Sequence, residues 1–181
     1  PGDDGSVVNC PADGLVAPTL PPANDACGNA ITPTLLSSPS PASCEGGMVW
    51  TYSYADCAGN SHVWTYTYTI DIPAFTITDP DGLSTVDCPA DAVSPTPPVV
   101  NDACGTPITP VPGSAPSAPA CEGDMVYTFT YTDCAGNSDV WMYTYTIDIP
   151  AFTITEPDGS STVSCPVDAV SPTPPTVVDA C

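Results

Sequence analysis

The chain contains no lysine and no arginine. Against twenty-one Asp and Glu and a single His, this leaves a formal net charge of −21 over 181 residues. No Lys/Arg–carboxylate ion pair can form, so electrostatics can only oppose folding unless counter-ions intervene. Nucleic acid is excluded as a partner, because phosphate binding rests chiefly on the basic side chains missing here. An anionic membrane surface is disfavoured for the same reason, whereas cations are attracted. Leucine is scarce, and no apolar run approaches the roughly 20 residues of a membrane helix. There is no C-x-x-C pair and only one His, which makes structural zinc a poor reading of the cysteines. No Asn-x-Ser/Thr acceptor for N-linked glycans occurs. The first residue is Pro1, with no charged-then-apolar leader, as expected of a mature or internal segment.

What is present points to β-structure. Pro (25) and Gly (13) interrupt every window long enough for a helix, and Thr, Val and Tyr are abundant. Ten cysteines in such a chain predict disulfides formed in an oxidising compartment.

The cysteines also reveal a repeat. Cys27, Cys104 and Cys181 are 77 apart, as are Cys44 and Cys121, Cys57 and Cys134, Cys88 and Cys165, and Trp64 and Trp141. Cys10 to Cys88 is 78, one extra residue lying before Cys27. Residues 44–104 and 121–181 share 48 identities in 61 positions. The expected domains are residues 1–73, residues 74–150, and the opening part of a third unit at 151–181.

Each unit opens on a Pro-rich segment such as "CPADAVSPTPPVVNDACG", continues through a Pro/Ser stretch and closes on two strong strands. In "MVWTYSYADC", Met48, Trp50, Tyr52 and Tyr54 alternate with Val49, Thr51 and Ser53. In "VWTYTYTIDI", Trp64, Tyr66, Tyr68 and Ile70 alternate with Thr65, Thr67 and Thr69. Period-two alternation predicts strands with one buried face, and "DCAGNS" between them predicts a hairpin turn. Pro confines the opening segment to edge strands or extended loops. The predicted fold is all-β: tandem immunoglobulin-like β-sandwich repeats of about 77 residues, with disulfides compensating a marginal core.

The succession "CPAD", "NDACG", "CEG", "YTDCAGN" and "WxYTYTI" resembles the HYR-like (hyalin-repeat-like) domain. It is most similar to the four-cysteine kind found in tandem in long surface proteins of Bacteroidetes. The resemblance implies an immunoglobulin-like sandwich, a cell-surface or extracellular location, an adhesion or spacer role and no enzyme activity. One departure stands out. The standard hyalin repeat carries a cysteine shortly after "GN", where this chain has Trp64 and Trp141, so the standard pairing does not transfer.

Pairing is therefore argued from the expected sandwich. Cys44 and Cys57 bracket one continuous strand of about 33 Å, while bridged Cα atoms sit about 5.5 Å apart, so that pair is not expected. The loop after the second strand and the final hairpin turn should share one end, predicting Cys27–Cys57 and Cys104–Cys134. Cys10 is expected near that end and Cys44 at the opposite one. Cys10 would then reach Cys44 only by crossing the domain. Two alternatives stay open: Cys44 bonded to Cys88 of the next unit, stapling neighbours, or local Cys10–Cys27 and Cys165–Cys181 links.

Candidate sites are few. His62 is the sole candidate general base, and its counterpart is Asp139, so no Ser-His-Asp or Cys-His assembly is expected. The acidic turns offer a calcium site, with Asp79, Asp81, Asn101, Asp102, Asp133 and Asn137 as ligands, since Ca²⁺ takes 6–8 oxygens. Ordinary turn chemistry explains the same residues. The aromatic stripes read as core in preference to a sugar platform, because Trp50 becomes Tyr127 and Tyr52 becomes Phe129 between copies. The Pro/Ser/Thr stretches offer sites for O-linked glycans. The expected function is structural: part of a stalk, fibre or filament of a secreted or surface protein, with neighbouring repeats or other copies as partners. The alternative is a carbohydrate-binding or accessory module of a secreted multidomain protein.

Overall fold

The computed structural model describes residues 2–179 and 181. It is all-β, as the composition predicts, with disulfide-stapled repeats of sandwich type. In the first repeat the strands are β1 (Asp4–Val8), β2 (Thr34–Ser37), β3 (Gly46–Ala55) and β4 (Ser61–Ile70). They form one sheet in the order β1-β4-β3-β2. β3 and β4 are an antiparallel hairpin running from Gly46↔Ile70 to Ala55↔Ser61. β1 joins β4 in parallel, from Asp4↔Tyr66 to Val8↔Ile70.

The second repeat follows the same plan with β5 (Gly82–Val86), β6 (Val100–Asn101), β7 (Pro107–Ile108), β8 (Val111–Pro112), β9 (Gly123–Thr132) and β10 (Ser138–Ile147). Its main sheet has the order β5-β10-β9-β8, again with β5 parallel to β10, and β6 pairs with β7. Residues 151–179 are exposed and irregular apart from a 3-10 turn at Pro166–Asp168.

The alternation read from the sequence is realised. Met48, Trp50, Tyr52 and Tyr54 are buried along β3, and Trp64 and Ile70 are buried along β4 with Tyr66 and Tyr68 half-buried. Successive rings from Trp50 through Tyr52, Trp64 and Tyr66 to Tyr68 have centroids 5.0–6.4 Å apart. That is the range in which aromatic pairs add stability beyond their burial.

The layer opposite this face is not a regular sheet. The Pro-rich opening segment lies across it, with Leu20, Ala23 and Ile31 packed on the rings. Proline explains the irregularity, since it cannot donate to a ladder. Hydrogen bonds from the sheet fasten the segment instead. Trp50 Nε1 donates to the Gly14 carbonyl at 3.0 Å, and the Tyr54 hydroxyl donates to the Pro21 carbonyl at 2.9 Å. The second repeat reproduces both: Tyr127 donates to Ala92 and Tyr131 to Pro98, each at 2.6 Å.

Compactness does not follow the sequence repeat. One compact unit comprises Pro1–Asp79 with Pro97–Val111 and Phe129–Trp141; the other comprises Pro80–Thr96, Pro112–Thr128 and Met142–Cys181. The first unit thus holds the whole first repeat together with two loop regions of the second.

Candidate functional site

Those loop regions contain one turn used twice per repeat. In Asp25–Asn29, Asp56–Asn60, Asp102–Thr106 and Asp133–Asn137, the first residue's N–H donates to the fifth residue's carbonyl, at 2.8–3.0 Å. The fourth residue, a glycine, donates back to the first residue's carbonyl. The aspartate Oδ1 accepts the N–H of the fifth residue at 2.7–2.9 Å. Where that residue is asparagine, its side-chain amide donates to Oδ2 at 2.8–2.9 Å. The glycines take φ of 84–89°, a left-handed conformation that disfavours any side chain. Side-chain and backbone donation from Asn29 holds the Asp25 carboxyl below its ordinary range, and Asn60 does the same to Asp56. Each loop carries one cysteine: third in "DACG", second in "DCAG".

Both loops of a repeat sit at its hairpin-turn end, which we term the tip. In the first repeat Asp25, Asp56 and Asn60 line one shallow pocket there. The opposite end, the base, carries Cys10 and Cys44. Parallel pairing brings Val8 beside Ile70, and β3 begins opposite Ile70, so Cys10 and Cys44 both emerge at that end.

The tip loops of the second repeat are bolted to the base of the first. Cys10 is bonded to Cys104 and Cys44 to Cys134, with Cα–Cα distances of 5.6 and 5.7 Å. Met48, Ile70 and Ile72 form a buried cluster there, against which Val8, Ala42, Cys44, Cys104 and Ala135 pack. Asn137 Nδ2 donates to the Ile72 carbonyl at 3.3 Å, and the Ile77 N–H donates to Asp139 Oδ2 at 3.1 Å. Asp133 is buried, with both carboxylate oxygens satisfied inside its own turn. A third bond, Cys88–Cys181, repeats the Cys10–Cys104 pairing one repeat further along.

These bonds correct the expected pairing. Cys27–Cys57 and Cys104–Cys134 do not form; Cys104 and Cys134 are taken by Cys10 and Cys44, and Cys27 and Cys57 are free and exposed. The cause is the direction of β1. Parallel to β4, it delivers Cys10 to the base, not to the tip where the expected sandwich places it. The expected remoteness of Cys44 from the hairpin turn of its own repeat is realised. Neighbouring repeats are stapled, through Cys134 and not Cys88. The local Cys10–Cys27 and Cys165–Cys181 links are replaced by cross-repeat bonds; Cys121 and Cys165 are free.

The calcium candidates are dispersed in role. Asp102 and Asp133 line one cavity at the junction, beside Thr106 and Thr132, but their carboxylates serve as turn acceptors. Asp81 accepts the Met142 N–H at 2.9 Å, as Asp3 accepts that of Thr65 in the first repeat. Asn137 serves the Asp133 turn, Asn101 lies in β6, and Asp79 precedes β5. Among the described residues, no three His, Cys, Asp or Glu gather as a metal site. The rings proposed for a sugar platform are inside: Trp64 is 2 % and Trp141 6 % exposed. His62 lines the tip pocket of the first repeat, beside Asp25 and Asp56.

A sheet faced by a Pro-rich strap, and a base that receives the next unit's tip, define a disulfide-stapled tandem-repeat protein of all-β type. Residues 1–70 and 76–147 each match the HYR-like domain with 4 cysteines, and the chain belongs to that family. Its domains are non-catalytic repeat modules. No curated protein matches the chain. No helix among the described residues is long and apolar enough to cross a membrane.

Proposed function

We propose that the chain is load-bearing framework: a segment of an extracellular stalk, fibre or filament that extends a surface or secreted protein in adhesion. It serves as spacer, with no chemistry of its own. The observation that carries this reading is the stapling of each repeat to the next. Cys104 of one bond lies sixteen residues after Cys88 of the next. A force applied at the ends therefore passes along a short covalent line, and the rest of each repeat is shielded from it. Chain segments stretch to roughly 3.3–3.6 Å per residue. The shortest covalent route from Pro1 to Cys181 passes through about 25 residues, or about 90 Å, against about 600 Å for the reduced chain. The absence of Lys and Arg also removes cleavage sites for trypsin-like proteases.

Pulling single molecules from their two ends tests this. The oxidised chain should stop lengthening near the shorter limit and gain several-fold on adding reductant. Equal extension before and after reduction would defeat the mechanical reading.

A further inference from the structure

The four free cysteines are not a random remainder. They are Cys27 and Cys57 at the tip of the first repeat, Cys121 at the base of the second, and Cys165 in the third opening segment. The observed bonds obey one rule: the Cys10-type residue of a repeat joins the Cys27-type residue of the next, and the Cys44-type joins the next Cys57-type. Under that rule, these four alone have no partner within the chain.

The surfaces around them tell the same story. Tip loops of the two repeats share one hydrogen-bond set, yet differ in cover. Asp133 is buried whereas Asp56 is only partly so. Cys104, Ala135 and Asn137 are partly covered, whereas their counterparts Cys27, Ala58 and Asn60 are exposed. At the base the contrast recurs. Ile72 is 5 % exposed beneath the second repeat's loops, and Phe75 is 9 % exposed. The matching Phe152 is 63 % exposed, and Ile154, equivalent to half-buried Ile77, is 58 % exposed.

We infer that the base of the second repeat, formed by Cys121, Ile149, Phe152 and Ile154, is a docking surface for one occupant: the tip of a further four-cysteine repeat. That repeat continues in register from residues 151–181 and brings a "DCAGN" turn onto Cys121. The junction between the first two repeats is the template, and it supplies the same residue types in the same order. A separate copy of the chain fits less well. The tip of its first repeat carries Cys27, which by the rule needs Cys88, and Cys88 is already bonded to Cys181. The tip of the first repeat is the complementary surface, already folded as its docked counterpart is, so little ordering cost opposes docking. This inference goes beyond the mechanical reading and stands without it, because any tandem array could use such a junction. Forming each bond removes two protons and two electrons from a thiol pair. A disulfide of the glutathione class accepts them and leaves as two thiols.

The test compares two chains refolded in a glutathione redox buffer. One is the 181-residue chain; the other repeats residues 105–181 once more after Cys181. In the first, alkylation before reduction should label Cys27, Cys57, Cys121 and Cys165. In the longer chain, Cys121 should bond to the added copy of Cys134, and Cys165 to the added copy of Cys181. The free thiols should still number four, two at each end, while two further bonds appear. A Cys27–Cys57 or Cys121–Cys165 bond in either chain would overturn the inference, as would a free-thiol count that grows with length. Disulfide-linked oligomers of the longer chain through its original Cys121 would also overturn it, since the occupant would then be a separate molecule. Failure of the pulling experiment with this pattern intact would reject the mechanical role and leave the junction standing.

Discussion

Cys44 and Cys134 are bonded across 90 residues of sequence, the first just before β3 of one repeat and the second inside the hairpin turn of the next. A hairpin turn is ordinarily the freest part of a sheet. Here it is the point at which one repeat is fixed to another.

Replacing this pair, as C44S/C134S, removes a constraint on the unfolded chain worth about 2–5 kcal/mol. Cys10–Cys104 spans much of the same sequence, so the loss belongs toward the lower half of that range. Chemical denaturation should show a lowered midpoint, and Asn137 should exchange its amide protons faster. An unchanged midpoint would mean that the bond is not formed in the folded protein.

The five-residue turn makes its own prediction. Asp133→Ala removes the acceptor of the Asn137 N–H and one of the two acceptors of its side-chain amide, in a half-buried setting. A loss of about 1–3 kcal/mol is expected, the cost of unsatisfied donors. Gly136→Ala forces a side chain into φ of 89° and should cost about 1–2 kcal/mol. Equal effects from Asp56→Ala would contradict the difference in burial between the two tips.

The acid limb follows from Asp25, Asp56 and Asp3. Hydrogen bonding lowers all three below the ordinary value of 3.8 in the folded chain: from Asn29, from Asn60 and from the Thr65 N–H respectively. An unfolded state that binds protons more readily gains on acidification. Their contribution is therefore complete above pH 3.8 and falls away below it. Thermal melts across that interval should decline, and Asp56→Asn should flatten part of the decline.

Much of this architecture was legible. The alternation of Trp50, Tyr52 and Tyr54 against Thr51 and Ser53 marks a half-buried strand because side chains on a strand have a period of two. "DCAGN" marks the turn because only glycine takes its fourth position without strain. The direction of β1 was not legible. Asp4–Val8 is five residues long, and parallel and antiparallel neighbours satisfy its alternation equally. That single choice sends Cys10 to the base or to the tip, and so decides whether it can reach Cys104 of the next repeat. The shared end of Cys27 and Cys57 was legible, since both lie in an Asp-x-x-Gly turn, but a shared end does not make them partners. The structure adds that these ends meet the next repeat, a relation between copies that no single repeat encodes.

Absence of Lys and Arg leaves the buried tyrosines to shape the alkaline limb. Burial raises Tyr54, Tyr68, Tyr131 and Tyr145 above the ordinary value of 10.0. For an acid whose folded value is raised, stability is complete below the unfolded value and is lost as pH climbs through the folded one. The chain should hold to about pH 10 and then unfold cooperatively, with tyrosinate absorbance rising in step with loss of the β-sheet circular dichroism. The Tyr54 and Tyr131 hydroxyls also fasten the Pro-rich strap to the rings, so Tyr131→Phe should lower stability at neutral pH by about 1 kcal/mol. The same variant should soften the alkaline transition, having one fewer buried phenol to ionise. If Tyr54, Tyr68, Tyr131 and Tyr145 ionised smoothly with the sheet intact, their rings would have to be solvent-facing, and the packed face on which the strap rests would be wrong.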